Sequence, residues 1–115
     1  MEETTVKTRT IPLTDRAPVK IREDQWPVVA WSSDHDGEIE CQANHKWRIT
    51  VRRHSDGRTI VYGKQDNQCE PDIEVGYLLP NEDGTVRAIR KVGEEIGANA
   101  VTIQACIADL PAEEI

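Results

Sequence analysis

The chain has 115 residues, with 14 basic and 21 acidic side chains and a formal net charge of -7. Its length predicts a single domain over residues 1–115, with frayed residues 1–5. No apolar run approaches the roughly 18 residues that span a bilayer, and the acidic start lacks the apolar stretch of a secretory signal, so we expect a cytoplasmic protein. Three widely spaced cysteines without such a signal predict reduced thiols rather than disulfides.

Short strands are predicted along the first third of the chain, where Val and Ile recur between polar residues. Pro27 lies inside the third of them and predicts either an edge strand or a strand that begins at Val28. Asp36-Gly37 then predicts a turn. The four strand segments are residues 6–13, 18–22, 25–33 and 38–42, with a turn at 14–16 between the first two.

A β-hairpin is the clearest element of the sequence. Apolar and polar residues alternate through 47–52, and Asp56-Gly57 is a strong signal for a two-residue hairpin loop. Such a loop pairs Val51 with Tyr62 across the hairpin. The predicted buried face then comprises Trp47, Ile49, Val51, Ile60 and Tyr62, and the opposite face comprises Arg48, Thr50, Arg52, His54, Thr59 and Val61.

A loop, a strand and a helix are predicted after the hairpin. Residues 64–71 are polar and acidic, which indicates a loop, and residues 72–79 indicate a strand or an irregular stretch closed by Pro80. The apolar residues of 86–96 share one helical stripe. Thr85 or Asp83 is the candidate N-cap of this helix, and Gly97 lies where a C-terminal cap belongs.

For a second C-terminal segment, residues 100–108, the sequence is compatible with either a helix or a strand. Asn99 is a candidate cap, and the residue types of 100–108 favour a helix over a strand by a small margin. Pro111 can open a last turn over residues 112–115. Taken together, the elements predict an α+β domain, with a mostly antiparallel sheet of four to six short strands and one or two C-terminal helices packed on one face.

Two metal sites are considered and not favoured. Residues 32–43 partly resemble a calcium loop, with Asp34 and Asp36 at the third and fifth positions, but Ser32 and Ala43 occupy the first and twelfth, where ligands are needed. A zinc site lacks the close pairs that such sites use. Its candidate ligands would be Cys41, His45, His35, His54 and Cys69. We therefore expect no metal and no cofactor.

Catalytic signatures are also missing from the sequence. There is no nucleophile elbow and no Gly-rich phosphate loop, and the seven glycines are scattered singly. A chain this small leaves little room for a water-excluding pocket. We expect a protein that is not an enzyme, with no catalytic residue to name.

Charge is unevenly distributed, since residues 46–64 carry six basic and one acidic side chain between two acidic segments. One interpretation is that these opposite charges compensate each other inside the fold. The leading functional hypothesis is an adaptor or inhibitor that binds another protein. It rests on residues 66–83, where carboxylates alternate with apolar residues that could anchor a partner. The candidate protein-binding residues are Asp72, Glu74, Tyr77 and Leu79.

The alternative hypothesis is nucleic-acid binding through the basic hairpin 46–64. A two-stranded ribbon fits the DNA major groove, and Arg is the usual reader of guanine and phosphate. The candidate residues are Arg48, Arg52, His54 and Arg58. Exposed edge strands could also pair in a homodimer, and no membrane partner is expected.

Three stretches, residues 11–21, 47–63 and 107–114, together carry a family resemblance. They resemble small uncharacterised proteins that are encoded in proteobacterial genomes, often near plasmid- or phage-derived genes. The resemblance covers most of the chain. It implies a bacterial accessory protein with a role in mobile-element biology, and it transfers no activity, cofactor or site residue.

Overall fold

The structure is a computed structural model that describes residues 7–36, 45–67 and 71–111. The predictions for residues 1–5, the turn after Asp36, the strand at 38–42 and the last turn at 112–115 lie outside these ranges. The strands are β1 (Thr8–Ile11), β2 (Val19–Arg22), β3 (Val28–Asp36), β4 (His45–Arg53), β5 (Thr59–Asn67) and β6 (Ile73–Leu79). The helices are α1 (Thr85–Glu95) and α2 (Ala100–Ala108).

The fold is α+β, as predicted, with all strands antiparallel to their neighbours. β1 and β2 form a two-stranded sheet, and β3-β4-β5-β6 form a four-stranded sheet in chain order. β3 begins at Val28 and lies at an edge, which agrees with the position of Pro27. None of the helices in the described ranges is long and apolar enough to cross a membrane.

The four-stranded sheet is covered on both faces. On one face, α1 and α2 pack against a cluster that includes Ile49, Val51 and Val61. On the other face, a second cluster joins Ile60 to the β1–β2 hairpin and to Trp26. The sheet is therefore the middle layer of three, and apolar residues of both alternation sets along β5 are buried.

The β4–β5 register differs from the prediction by one residue. Thr50 pairs with Tyr62 and Val51 with Val61, because the loop has three residues and not two. The His54 amide donates to the Arg58 carbonyl at 2.8 Å, and Gly57 takes a left-handed φ of 98°. This is the turn-plus-bulge geometry of three-residue hairpins. The predicted faces are therefore wrong for β5: Val61 faces the helices, and Ile60 and Tyr62 face the β1–β2 side.

Two of the three predicted helix caps agree with the structure. Gly97 ends α1 with a left-handed φ of 75°, and the amide of Ala98 donates to the carbonyl of Gly93 at 2.8 Å. Asn99 caps α2 by accepting the Thr102 amide at 2.8 Å, and α2 is a helix. The N-cap of α1 is Gly84, without a side-chain cap, so the predicted capping by Thr85 or Asp83 is wrong.

The second strand of the hairpin, β5, extends further into the following polar segment than predicted. β5 continues to Asn67, so residues 64–67 are strand rather than loop. Lys64 pairs with Arg48 of β4 on one side and with Glu74 of β6 on the other. Pairing on both sides supplies the backbone hydrogen bonds that a polar strand needs, whatever its composition.

Candidate functional site

The four residues proposed for protein binding do not form one surface. Glu74 pairs with Lys64 and lies on the β1–β2 side of the sheet, as the alternation of β6 requires. Tyr77 and Leu79 lie on the other face and pack against the helix-side cluster. Asp72 precedes the strand. A partner could not contact all four at once across the sheet.

These residues also have partners within the chain. Lys64 Nζ lies 3.2 Å from Asp66, 3.6 Å from Asp72 and 4.0 Å from Glu74. The backbone amide of Asn67 donates to Asp72 and is the main reason that the pKa of this carboxyl is lowered. This corner of the sheet is a charge network in which one lysine partly offsets three carboxylates.

Tyr77 is held against α1. Its hydroxyl donates to the carboxylate of Glu95, and the ammonium of Lys91 lies 4.6 Å from the ring centroid. Partial burial and the Glu95 contact raise the pKa of Tyr77. The aromatic side chain thus joins β6 to the helix, a structural role that leaves little of it for a partner.

Arg52, a candidate for nucleic-acid binding, is buried rather than exposed. It is 8% exposed. Its Nε donates to the Tyr62 hydroxyl at 2.9 Å, one terminal nitrogen donates to the Trp26 carbonyl at 3.0 Å, and the other lies 3.7 Å from Glu23. The prediction that Arg52 projects into solvent is therefore wrong, because the segment carrying Trp26 covers this end of β4.

His54 and Arg58 surround Trp26 at the hairpin tip. The His54 and Trp26 ring centroids are 5.1 Å apart, and the Arg58 guanidinium lies 5.1 Å from the Trp26 ring centroid. Arg58 also holds Asp56 at 2.8 Å. The Arg58 backbone amide is the main cause of a lowered pKa at Asp56. Two of the four candidate residues thus form a tip cluster.

Arg48 is exposed and forms a cation–π contact with a tryptophan that the sequence analysis did not single out. Its guanidinium lies 5.6 Å from the centroid of Trp31, which is 51% exposed. Arg48 and Trp31 are diagonal neighbours on β4 and β3, since Trp31 pairs with Thr50. The other two tryptophans, Trp26 and Trp47, are buried. Trp31 is therefore the exposed aromatic of this face.

A bulge in β3 brings a second apolar side chain beside Trp31. Val28 pairs with Arg52 and Ala30 with Val51, so one extra residue is inserted between them. The insertion places Val28, which is 43% exposed, on the same face as Trp31. Strict alternation along β3 would put the two on opposite faces, which is why the sequence pattern concealed this patch.

The exposed patch borders a cleft of about 300 Å³, which we call the Trp31 cleft. A mixed-charge groove of about 600 Å³ adjoins it and shares four of its residues. The cleft is lined by three arginines, two aromatic residues, one valine and one threonine: Arg9, Arg48, Arg52, Trp31, Tyr62, Val28 and Thr50. No carboxylate is among the described residues that line the cleft.

One nearby carboxylate forms ion pairs with two of the three arginines. Glu23 lies 2.8 Å from Arg9 and 3.7 Å from Arg52. The hydrogen bond from Arg9 is the main reason that the pKa of Glu23 is lowered. Arg48 forms no ion pair with a residue in the described ranges. Counting the described residues, the rim of the cleft therefore keeps an excess of positive charge.

The net negative charge of the chain lies outside the described residues. Residues 7–36, 45–67 and 71–111 contain 14 basic and 14 acidic residues. The seven remaining acidic residues are Glu2, Glu3, Glu38, Glu40, Glu70, Glu113 and Glu114. The described part of the chain, which carries the cleft, is thus formally neutral.

The residues considered for metal binding and for nucleophilic chemistry are placed as follows. Among the described residues, no group of three His, Cys, Asp or Glu side chains could hold a metal ion. Ser32 donates to the Thr102 carbonyl at 2.7 Å, and Asp34 accepts from Asn99 at 3.2 Å. Cys41, Cys69 and the side chains of His35, Asp36 and His45 lie outside the described part of the chain.

Cys106 is buried between α2 and the sheet, and burial raises its pKa to about 11. Its thiol is therefore protonated and shielded at neutral pH. Comparison of the chain with family models, with curated proteins and with solved structures finds no match. The functional argument accordingly depends on the geometry of the Trp31 cleft.

Proposed function

We propose that this protein is a non-catalytic protein-binding module, and that its partner docks on the Trp31 cleft. The observation that carries the proposal is the half-exposed Trp31, braced by Arg48 and adjoined by the exposed Val28. The accessory role in bacterial mobile-element biology, which the resemblance implies, is part of the same proposal.

The residue types around the cleft are those on which protein interfaces depend. Trp, Tyr and Arg dominate binding hot spots, because they bury a large area and fix orientation through polar groups. Trp31 and Arg48 lie on paired strands of a covered sheet, so little conformational entropy is lost when a partner packs on them. Burial of the exposed half of Trp31 would then contribute directly to affinity.

The proposed site lies on β3 and β4, whereas the sequence analysis placed it on β6. Tyr77 is engaged by Glu95 and Lys91, and Asp72 and Glu74 are engaged by Lys64. A partner at β6 would have to displace these contacts, whereas the cleft offers exposed aromatic and guanidinium groups at once. The class of function remains the one that the sequence predicts.

Site-directed photo-crosslinking in host cells tests this function. A benzophenone amino acid replaces Val28 in one sample and Val101 in another, since Val101 is 74% exposed on α2, away from the cleft. We expect a discrete protein adduct from position 28 that survives nuclease, and none from position 101. Trp31→Ala, in the position-28 sample, should abolish the adduct. Equal adducts from both positions would refute the site.

Nucleic-acid binding through the hairpin is the second candidate, favoured by the exposed guanidinium of Arg48. The described residues that line the Trp31 cleft include three arginines and no carboxylate. Binding of labelled duplex and single-stranded oligonucleotides at low salt checks this candidate. It requires an affinity that falls steeply as salt rises and that falls further in Arg48→Gln.

A further inference from the structure

We propose that the Trp31 cleft recognises a carboxylate of an acidic protein segment, in which the acidic residue neighbours an apolar one. This inference rests on the proposed function and names the chemistry of the partner. It follows from three properties of the cleft: its charge, the different environments of its arginines, and its size.

Among the described residues, the positive charge around the cleft is only partly neutralised. Arg9, Arg48 and Arg52 line the cleft, and Glu23 pairs with two of them. A carboxylate that enters the cleft would reduce the remaining positive excess. Interactions of a guanidinium with a carboxylate are charge-assisted and directional, so such a ligand would be held in a defined orientation.

The arginines divide into fixed and available groups. Arg52 is fixed by Tyr62 and the Trp26 carbonyl, so it contributes a stationary positive charge to the cleft floor. Arg48 lies at the exposed rim, and its contact within the described residues is the face of Trp31. Because Arg48 is exposed, a carboxylate can reach its guanidinium while the contact with the ring is kept. Arg48 is therefore the residue that we assign to ligand contact.

The size of the cleft limits the ligand to one or two side chains. About 300 Å³ is at the small end of the range for ligand sites. Val28 and Trp31 supply an apolar wall beside the guanidinium groups. An Asp or Glu side chain next to an apolar side chain satisfies both parts of the cleft.

The adjoining groove favours a peptide over a nucleic acid. Beyond the cleft, the groove of about 600 Å³ is lined by Lys46 and Lys64 but also by Asp34, Asp66 and Glu74. A phosphate backbone carries negative charge at every step and would meet these carboxylates. A peptide carries charge at chosen positions and can place its acidic residue in the cleft alone.

Selection from a random peptide library displayed on phage tests the inference. The intact protein is the bait, and nuclease is present throughout. We expect the enriched peptides to share an Asp or Glu beside an apolar residue. Their affinity is then measured with synthetic peptides through the change in tryptophan fluorescence on binding, to which Trp31 responds most directly because it is the exposed one of the three. Replacing the shared acidic residue by its amide should weaken binding by about tenfold or more.

Arg48→Gln should reduce the affinity of the selected peptides by a similar factor. Arg90→Gln is the matched control, since Arg90 is an exposed arginine on the helix side of the sheet. Peptides without a shared acidic residue, or equal binding to wild type and Arg48→Gln, would overturn the inference. Oligonucleotide binding that depends on Arg48, with no enriched peptide, would also overturn it.

Two crosslinking outcomes separate this inference from the proposed function. If Arg48→Gln retains the protein adduct from position 28 and Trp31→Ala loses it, the docking face is correct and the carboxylate is not. If both variants retain the adduct, the proposed function itself fails at this site.

Discussion

Two arginines of β4 show how position decides the role of a residue type. Arg48 and Arg52 lie on the same face of the strand, four residues apart. Arg52 lies beneath the segment that carries Trp26 and donates to the Tyr62 hydroxyl and the buried Trp26 carbonyl, whereas Arg48 lies beyond it in a cation–π contact with Trp31. Identical side chains therefore serve the core in one place and the cleft in the other.

The two arginines should differ in their effect on stability. Arg52→Ala leaves the Tyr62 hydroxyl and the Trp26 carbonyl without their donor, and we expect it to lower the free energy of unfolding by about 3 kcal/mol. Arg48→Ala removes an exposed cation–π contact and should cost less than about 1 kcal/mol. Urea denaturation followed by fluorescence measures both. Equal losses would contradict the distinction between a buried and an exposed arginine.

At the scale of elements, both edges of the four-stranded sheet receive hydrogen bonds from other segments. The backbone amide of Trp31 on β3 donates to Asp109 at 3.0 Å. On β6, Thr14 donates its amide to the Gly76 carbonyl at 2.8 Å, and the Gly76 amide donates to the Thr14 hydroxyl at 3.1 Å. Occupied groups at an edge discourage pairing with another chain. The homodimer through edge strands stays a prediction.

Gly76 should be essential to the docking of the β1–β2 hairpin. A Cβ at this position would lie 2.5 Å from the Pro12 carbonyl oxygen, so the crossing segment must shift. We expect Gly76→Ala to lower the free energy of unfolding by about 1–3 kcal/mol, and to reduce the hydrogen-exchange protection of the Thr14 amide.

Gly57→Ala is the control for this experiment. A Cβ at Gly57 meets nothing within 4 Å, so its cost arises from the φ of 98° alone. This substitution should cost about 1–2 kcal/mol without a loss of protection at Thr14. Protection that falls equally in both variants would contradict a local role for Gly76.

The whole molecule has two buried clusters on either side of one sheet. The helix-side cluster contains Cys106, whose thiol is 0% exposed. The opposite cluster binds the β1–β2 hairpin to β5 through residues such as Ile11 and Ile60. Since β5 contributes to both clusters, loss of either one weakens the shared middle layer, and we expect the two layers to unfold together.

Alkylation of Cys106 should report this global unfolding. Burial and a pKa of about 11 keep the thiol unreactive in the folded state, so iodoacetamide should modify it only after opening. Mass spectrometry of the peptide that contains Cys106 measures the rate. The rate should rise with urea in parallel with loss of the global fluorescence signal. Rapid alkylation in native buffer would contradict a closed helix-side cluster.

Local sequence signals were sufficient for the class of fold and for a few element ends. Gly97 and Asn99 act on backbone groups within a few residues, so the end of α1 and the start of α2 could be read directly. Pro27 acts in the same way on the start of β3. The α+β class followed from such signals, because each strand and helix carries its own periodicity.

The parts that could not be read from the sequence depend on which segment covers which face. Both faces of the sheet are covered, so the apolar pattern of β5 did not distinguish the true register from its one-residue slip, and the loop geometry at Gly57 decided it. The β3 bulge and the long-range placement of Trp26 expose Trp31 and bury Arg52. The candidate site arises from these tertiary contacts, because burial is settled by distant neighbours rather than by adjacent residues.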